Sequence, residues 1–403
     1  MASHPAQQIL AINAGSSSIK FALFSGGPAL HAVLRGAIAD IGGRSSFTVA
    51  GGKDCSFTRH FAIPEHITAA NVLLEWLAER VPAASLAAVA HRVVYGGPGC
   101  DRVRTLDHDL MAELYASASS EPDHLPQALH LAEALRRQMP EAAQLACFDS
   151  AFHATMPALA STLPIPRRYN ALGIRRYGFH GLSCAWLMRE LERRAGAAAA
   201  GKVVIAHLGG GASVTAVAGG QSRDTTMGLT PSGGMMMGRR SGDLDPGLAW
   251  RLMRQEQMSA ASFHHMVNHQ SGLLGVSGSS GDLRTLVAAS AGDSRAGEAV
   301  ALFCYSARKS ICAMAGAIDG METLIFSGGA GEHGPEVRAQ ICAGLSHLGV
   351  QLDPDANLAG AEIVSTPVSR VCVRVMHTDE EWMMGEAAKD WLDRMDNDKG
   401  AAS

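Results

Sequence analysis

The sequence predicts an α/β fold made of two duplicated domains around a central cleft. Residues 9–12 are apolar, Asn13-Ala14-Gly15-Ser16-Ser17-Ser18 make a turn, and Ile19-Lys20-Phe21-Ala22-Leu23-Phe24 alternate as a strand does. Residues 203–217, VVIAHLGGGASVTAV, repeat that order about half a chain later. Glycine permits positive φ and close backbone approach, while free amides and hydroxyls in the turn suit phosphate oxygens. Either turn alone would also serve an ordinary hairpin. The second copy is what indicates duplication, with both turns facing one cleft.

The remaining elements follow the same order in each half. Strands occupy the first 60 residues, followed by a helix over 67–80, a strand over 86–94, a helix over 125–138 and a strand over 144–148. In the second half come strands over 203–217, helices over 246–266 and 298–317, strands over 324–326 and 371–376, and a last helix over 380–395. Domain limits of 1–150, completed by 382–398, and 151–381 follow, with a hinge near 149–153.

At 403 residues the chain exceeds one comfortable core. Its 47% apolar and 18% charged residues, with a net charge of −4, describe a well-buried globule without a basic face. Nucleic acid and anionic membranes are therefore not expected partners. No apolar stretch reaches the roughly 18 residues of a spanning helix, and neither a signal segment nor a disulfide pattern is present, so a cytoplasmic protein is expected. The eight cysteines show no C-x-x-C spacing and are expected to be reduced.

Several polar positions stand at the ends of these elements. Arg92 closes a short strand, and a guanidinium there can hold a carboxylate or phosphoryl group bidentately. Asp149 ends another strand, where open α/β sheets bind ligands, although it can equally cap the element that follows. His180, between glycines, can donate to a phosphoryl oxygen, or be structural. Arg239-Arg240-Ser241-Gly242-Asp243-Leu244-Asp245 reads as an anion clamp, with the aspartates fixing the loop and capping a helix; Met235, Met236 and Met237 read as packing. Gly328, Gly329 and Gly331 permit a base or ribose to lie against the backbone. Glu380 starts the last helix, where it favours the helix dipole or, facing the cleft, holds Mg²⁺ through water.

Taken in order, NAGSSSIK, HRVVYGGPG, FDSAFHATMP, RRYGFHG, HLGGGAS and GRRSGDLDPG make the chain resemble the acetate kinase family, within the sugar-kinase/Hsp70/actin superfamily, over essentially its whole length. The resemblance implies two ribonuclease-H-like (actin-like ATPase) domains of βββαβαβα type, a homodimer, and reversible ATP-dependent phosphorylation of a short-chain carboxylate. It also implies roles. Asn13, Ser16, Ser18 and Lys20 match the first phosphate turn, and His207, Gly209 and Gly211 the second. Arg92 and Arg240 match the pair holding carboxylate and phosphoryl group, His180 the transition-state stabiliser, and Asp149 the catalytic acid residue. Asn13 and Glu380 match the positions for Mg²⁺ (or Mn²⁺), Asp282 and Arg284 those near adenine, and Gly329 and Gly331 the adenosine turn, which puts the nucleotide in the C-terminal domain. Val94, Phe179 and Pro231 match the acyl-pocket wall. In-line transfer needs charge neutralisation and alignment more than covalent help, which these residue types supply.

Four departures from the family pattern bear on substrate and donor: Asp123 before His124, Gly210 in place of Asn, His333-Gly334 in place of Asn-Ser, and Asp379 in place of Asn. Acetate is the expected acceptor, with propionate or another short acid as the alternative. A phosphohydrolase and a non-catalytic nucleotide-binding regulator are the rivals from other classes.

Overall fold

The computed structural model describes residues 8–15, 17–27, 29–51, 56–117 and 125–401, with side chains to 398. Ser16 and Asp123 lie outside the described residues. The chain divides into two compact units, Met1–Ala151 with Asp379–Ser403, and Phe152–Thr378.

In the first unit the strands are β1 (Gln8–Ala14), β2 (Ile19–Ser25), β3 (His31–Ala39), β4 (Ser46–Gly51), β5 (Phe57–His60), β6 (Leu86–Val93), β7 (Arg104–Thr105) and β8 (Ala143–Phe148), with helices α1 (His66–Arg80), α2 (His108–Ser117) and α3 (Leu125–Gln138). They form one sheet in the order β5-β4-β3-β2-β1-β6-β8-β7. β1 pairs antiparallel with β2 and parallel with β6, which in turn is parallel to β8. β1 is buried along nearly its whole length, as expected of a central strand covered on both faces.

The second unit opens with α4 (Ala158–Ser161), α5 (Arg167–Ala171) and α6 (Gly181–Ala195), then β9 (Lys202–Leu208), β10 (Ala212–Ala218) and β11 (Gln221–Thr225). Helices α7 (Pro246–Gln255), α8 (Ala260–His269), α9 (Gly272–Ser277), α10 (Leu283–Ala289) and α11 (Ser294–Ala317) precede β12 (Thr323–Ser327). α12 (Gly328–His333), α13 (Pro335–Cys342), α14 (Pro354–Leu358) and β13 (Cys372–Val375) complete it, and α15 (Glu380–Ala401) returns the chain to the first unit. The sheet order is β11-β10-β9-β12-β13, with β9 antiparallel to β10 and parallel to β12.

With β4, β5 and the edge strand β7 left out, β3-β2-β1-β6-β8 has the same order and strand directions as β11-β10-β9-β12-β13, so the duplication expected from the two turns is a duplication of topology. One expectation needs correction. The stretch over 246–266 is two helices: Glu256 ends α7 and Gln257, at φ 52°, takes a left-handed turn that no continuous helix tolerates. The glycines after Phe326 stand between β12 and α13 and form the short helix α12. The seven described cysteines are free thiols, five of them buried.

Candidate active site

In the first unit three side chains come from the carboxyl ends of three adjacent parallel strands. Asn13 is next to last in β1, Arg92 next to last in β6, and Asp149 directly follows β8. That edge is where parallel α/β sheets present ligand-binding groups. Arg92 Nη2 donates to Asp149 Oδ2 at 2.7 Å and Nη1 to Asn13 Oδ1 at 3.3 Å. Asp149 is fully buried. Burial works against the charge on Arg92, but Asp149, Glu380 and Glu381 outweigh it and hold the guanidinium protonated above its ordinary range. The neighbouring His91 points its imidazole into the core, where it meets Gln144 at 2.8 Å and burial pushes its pKa down to about 4, so it stays neutral.

The first turn of α15 closes this group. Asn13 Nδ2 donates to Glu380 Oε2 and to Glu381 Oε1, each at 2.8 Å. Burial and then the neighbouring Glu380 raise the Glu381 pKa. Glu381 escaped sequence reasoning, since a second acid in a helix's first turn is ordinary; only its pairing with Asn13, 368 residues away, marks it. Ser18 is half-buried and Lys20 exposed.

In the second unit the β9–β10 turn, Gly209 to Gly211, is bracketed by two imidazoles. His180 begins α6 at φ 59°, ψ 26°, a left-handed conformation uncommon for a residue with a side chain. Its approach is fixed by Gly178, at φ 75°, where a Cβ would stand 2.6 Å from Thr225 Cγ2 and 2.7 Å from His153 Cδ2. The His180 and His207 rings lie 4.4 Å apart. Each has a serine at Nδ1: Ser213 Oγ at 3.0 Å from His180 and Ser183 Oγ at 2.9 Å from His207. A methyl group on Gly211 would lie 3.3 Å from His180 Nε2 and 3.5 Å from Arg240 Nη1. One ligand atom against Gly211 can therefore meet an imidazole and a guanidinium together.

The remaining loops of this unit close on the same turn. Gly238 sits so near that a Cβ would be 2.7 Å from the Gly281 carbonyl and 3.4 Å from that of Gly210. Gly328, at φ 74°, would carry its Cβ 2.8 Å from Leu208 C and 3.0 Å from Gly209 N. Gly329 is exposed with open space before it, while Gly331 is buried. Asp282 caps α10 by accepting from the backbone N–H groups of Arg284 and Thr285, and its carboxylate pairs with the Arg284 guanidinium at 3.2 Å. Asp245 caps α7 and Asp243 accepts from Gly234 N at 2.7 Å, while Met235, Met236 and Met237 are buried packing. Of the acyl-wall candidates, Val94, Phe179 and Pro231 are all buried, the first in one unit and the other two in the other.

The Acetokinase family model matches residues 8–386. The chain belongs to the acetokinase family. The acetate kinase of Rhodopseudomonas palustris is 42% identical over 385 residues, covering 93% of this chain and 96% of that protein. Among solved structures, a propionate kinase from Francisella tularensis superposes with a TM-score of 0.85 at 30% identity, covering 94% of this chain and 98% of its own. The acetate kinase of Porphyromonas gingivalis does so with 0.81 at 32% identity, covering 94% and 98%. Family members are kinases that transfer phosphate from ATP to a carboxylate, and the two sheets described above have the actin-like ATPase fold of those structures.

The oxygen donors of the first unit suit a hard divalent cation. Asp149, Glu380, Glu381 and the Asn13 amide oxygen gather around one guanidinium, and burial, followed by the neighbouring Glu380, raises the Glu381 pKa. Among the described residues no three His, Cys, Asp or Glu side chains form a cage. Mg²⁺ does not need one, because it keeps several waters and binds through one or two carboxylates plus substrate phosphates.

Proposed function

We propose that the chain transfers the ATP γ-phosphoryl group reversibly to acetate, or to its near relative propionate, giving an acyl phosphate and ADP by direct in-line displacement. The single observation that carries this reading is the space at Gly211, within reach of both His180 Nε2 and Arg240 Nη1. Two fixed donors beside a glycine turn favour an oxyanion whose charge grows during transfer. The acceptor is already a carboxylate at neutral pH, so no strong base is needed. Asp149 then holds Arg92 rather than taking a proton, and Arg92 and Arg240 orient acceptor and phosphoryl group.

The second unit carries the nucleotide in this reading. Its phosphates lie along Gly209–Gly211 near His207, with the ribose and base toward Gly329, Gly331, Asp282 and Arg284. Ser18 and Lys20, with Ser16, serve the phosphate turn of the first unit, and Val94, Phe179 and Pro231 wall the acyl group. Asn13 and Glu380 would hold Mg²⁺, which would supply charge neutralisation for phosphate oxygens. A homodimer is supported by Leu244, Trp250 and Met253, which leave α7 and its approach with exposed apolar surface. Among the described residues no helix is long and apolar enough to cross a membrane, in keeping with a cytoplasmic site of action.

The test is a matrix of ATP, other nucleotides and pyrophosphate against formate, acetate, propionate, butyrate and small hydroxy acids, with acyl phosphate trapped as hydroxamate. Acid-dependent hydroxamate from ATP with acetate or propionate is expected. Phosphate release independent of any acid, or nucleotide binding with no hydroxamate, would overturn the reading in favour of a hydrolase or a regulator.

A further inference from the structure

The residue preceding the two glutamates is Asp379, and its carboxylate does two things at once. Oδ1 accepts from the backbone N–H of Trp382 at 2.9 Å, which caps α15. Both oxygens also accept from Arg35 on β3, Nη1 to Oδ1 at 2.8 Å and Nη2 to Oδ2 at 2.6 Å, a two-pronged pair. The Arg35 guanidinium stands 5.8 Å from the Phe24 ring, and Phe24 meets Trp382 edge-on at 5.7 Å. One turn on, Gly385 passes so close that a Cβ would lie 2.8 Å from the Phe24 ring. The start of α15 is thus gripped by Phe24 of β2 and Arg35 of β3 as well as by Asn13 of β1.

We propose that Arg35 and Asp379 are positioning residues for the divalent-cation site. Their paired side chains lock the first turn of α15 so that Glu380 and Glu381 remain on Asn13. The assignment rests on the reading that Glu380 and Asn13 hold the cation. Three consecutive acids at one helix start repel one another, and Arg35 offsets the outermost charge while leaving the inner two for the metal. An Asn at 379 keeps the cap and loses the charged fork, so the Arg35–Asp379 pair also accounts for that departure from the family pattern.

Charge alone and positioning predict opposite signs. Removing the cation Arg35 strengthens through-space attraction for a divalent ion. Loss of positioning weakens it, by about 10-fold as for other partners that orient metal ligands. Mn²⁺ binding in the presence of ADP, measured by electron paramagnetic resonance against a protein-free ADP blank, separates the two. R35A is expected to bind Mn²⁺ about 10-fold more weakly. In a D379N background the same replacement is expected to add little, since Arg35 acts through Asp379. R35K, which keeps the charge and loses the fork, should fall between wild type and R35A, and it carries the test if the alanine variant does not fold. Unchanged or tighter Mn²⁺ binding in R35A and R35K, whatever their melting temperatures, overturns the proposal. Wild-type Mn²⁺ affinity in E380Q would instead remove the metal reading beneath it.

Discussion

Ser213 Oγ lies 3.0 Å from Nδ1 of His180, and this contact holds the imidazole with Nε2 on the Gly211 side of the β9–β10 turn. A ring held by one nitrogen offers the other in a set direction. Replacing Ser213 with Ala should lower kcat about 10-fold, the effect of about 1.4 kcal/mol of lost orientation. The loss should fall on kcat, whereas a change confined to KM would remove Ser213 from the mechanism.

The two arginines should separate stability from turnover. R92A strips the fully buried Asp149 of a guanidinium 2.7 Å away, and leaving such a carboxylate without its cation costs about 3–5 kcal/mol. R240A removes a donor to the Pro231 carbonyl at 3.3 Å, and its melting temperature is to be measured beside that of R92A. Turnover should drop by about 100-fold or more in both. Near-normal kcat in R240A would exclude it from charge stabilisation.

Glu381 gives a pH signature. Burial and Glu380 raise its pKa, so the fold favours the protonated form. Its contribution to stability is therefore fully present below the unfolded carboxyl value of about 4.3 and is lost as pH rises through the higher folded value. E381Q keeps a group that can accept from Asn13 and removes the charge. It should melt above wild type at neutral pH, with the gap closing as the pH falls toward about 4. Identical melting curves at all pH values would contradict this.

Gly210 and Gly328 should respond differently to a side chain. A Cβ on Gly210 would meet no neighbouring atom within 4 Å, so G210N should fold like wild type and, on the proposed reading, alter only the Michaelis constant for ATP. Gly328 has φ 74° and would press a methyl against the Leu208–Gly209 backbone, so G328A should cost about 1–3 kcal/mol and displace the β9–β10 turn. Thermal melts of both variants, with ATP titrations, decide the matter.

Much of the fold was readable because its signals are local. Strand alternation around residues 9–24 and 203–217, turn glycines and the amphipathic 67–80 and 125–138 segments need no distant partner to be seen. The break at Gln257 was not, since a single left-handed residue between two helical patterns leaves no trace in their periodicity. The site was legible where the chemistry sits at element ends, as for Arg92, Asp149 and His180. It was opaque where meaning comes from pairing across the chain: Asn13 with Glu381, Arg35 with Asp379, Ser213 with His180. Serines and a second glutamate are too common to stand out until their neighbours are known.

The placement of α15 has a consequence for biogenesis. The helix packs on β1, β2 and β6, yet it is made after every other element described above. An N-terminal half emerging alone lacks both glutamates and the cover over its central strands. Chains in which α15 has not yet been made should therefore be unable to turn nucleotide over, and competence waits on that helix.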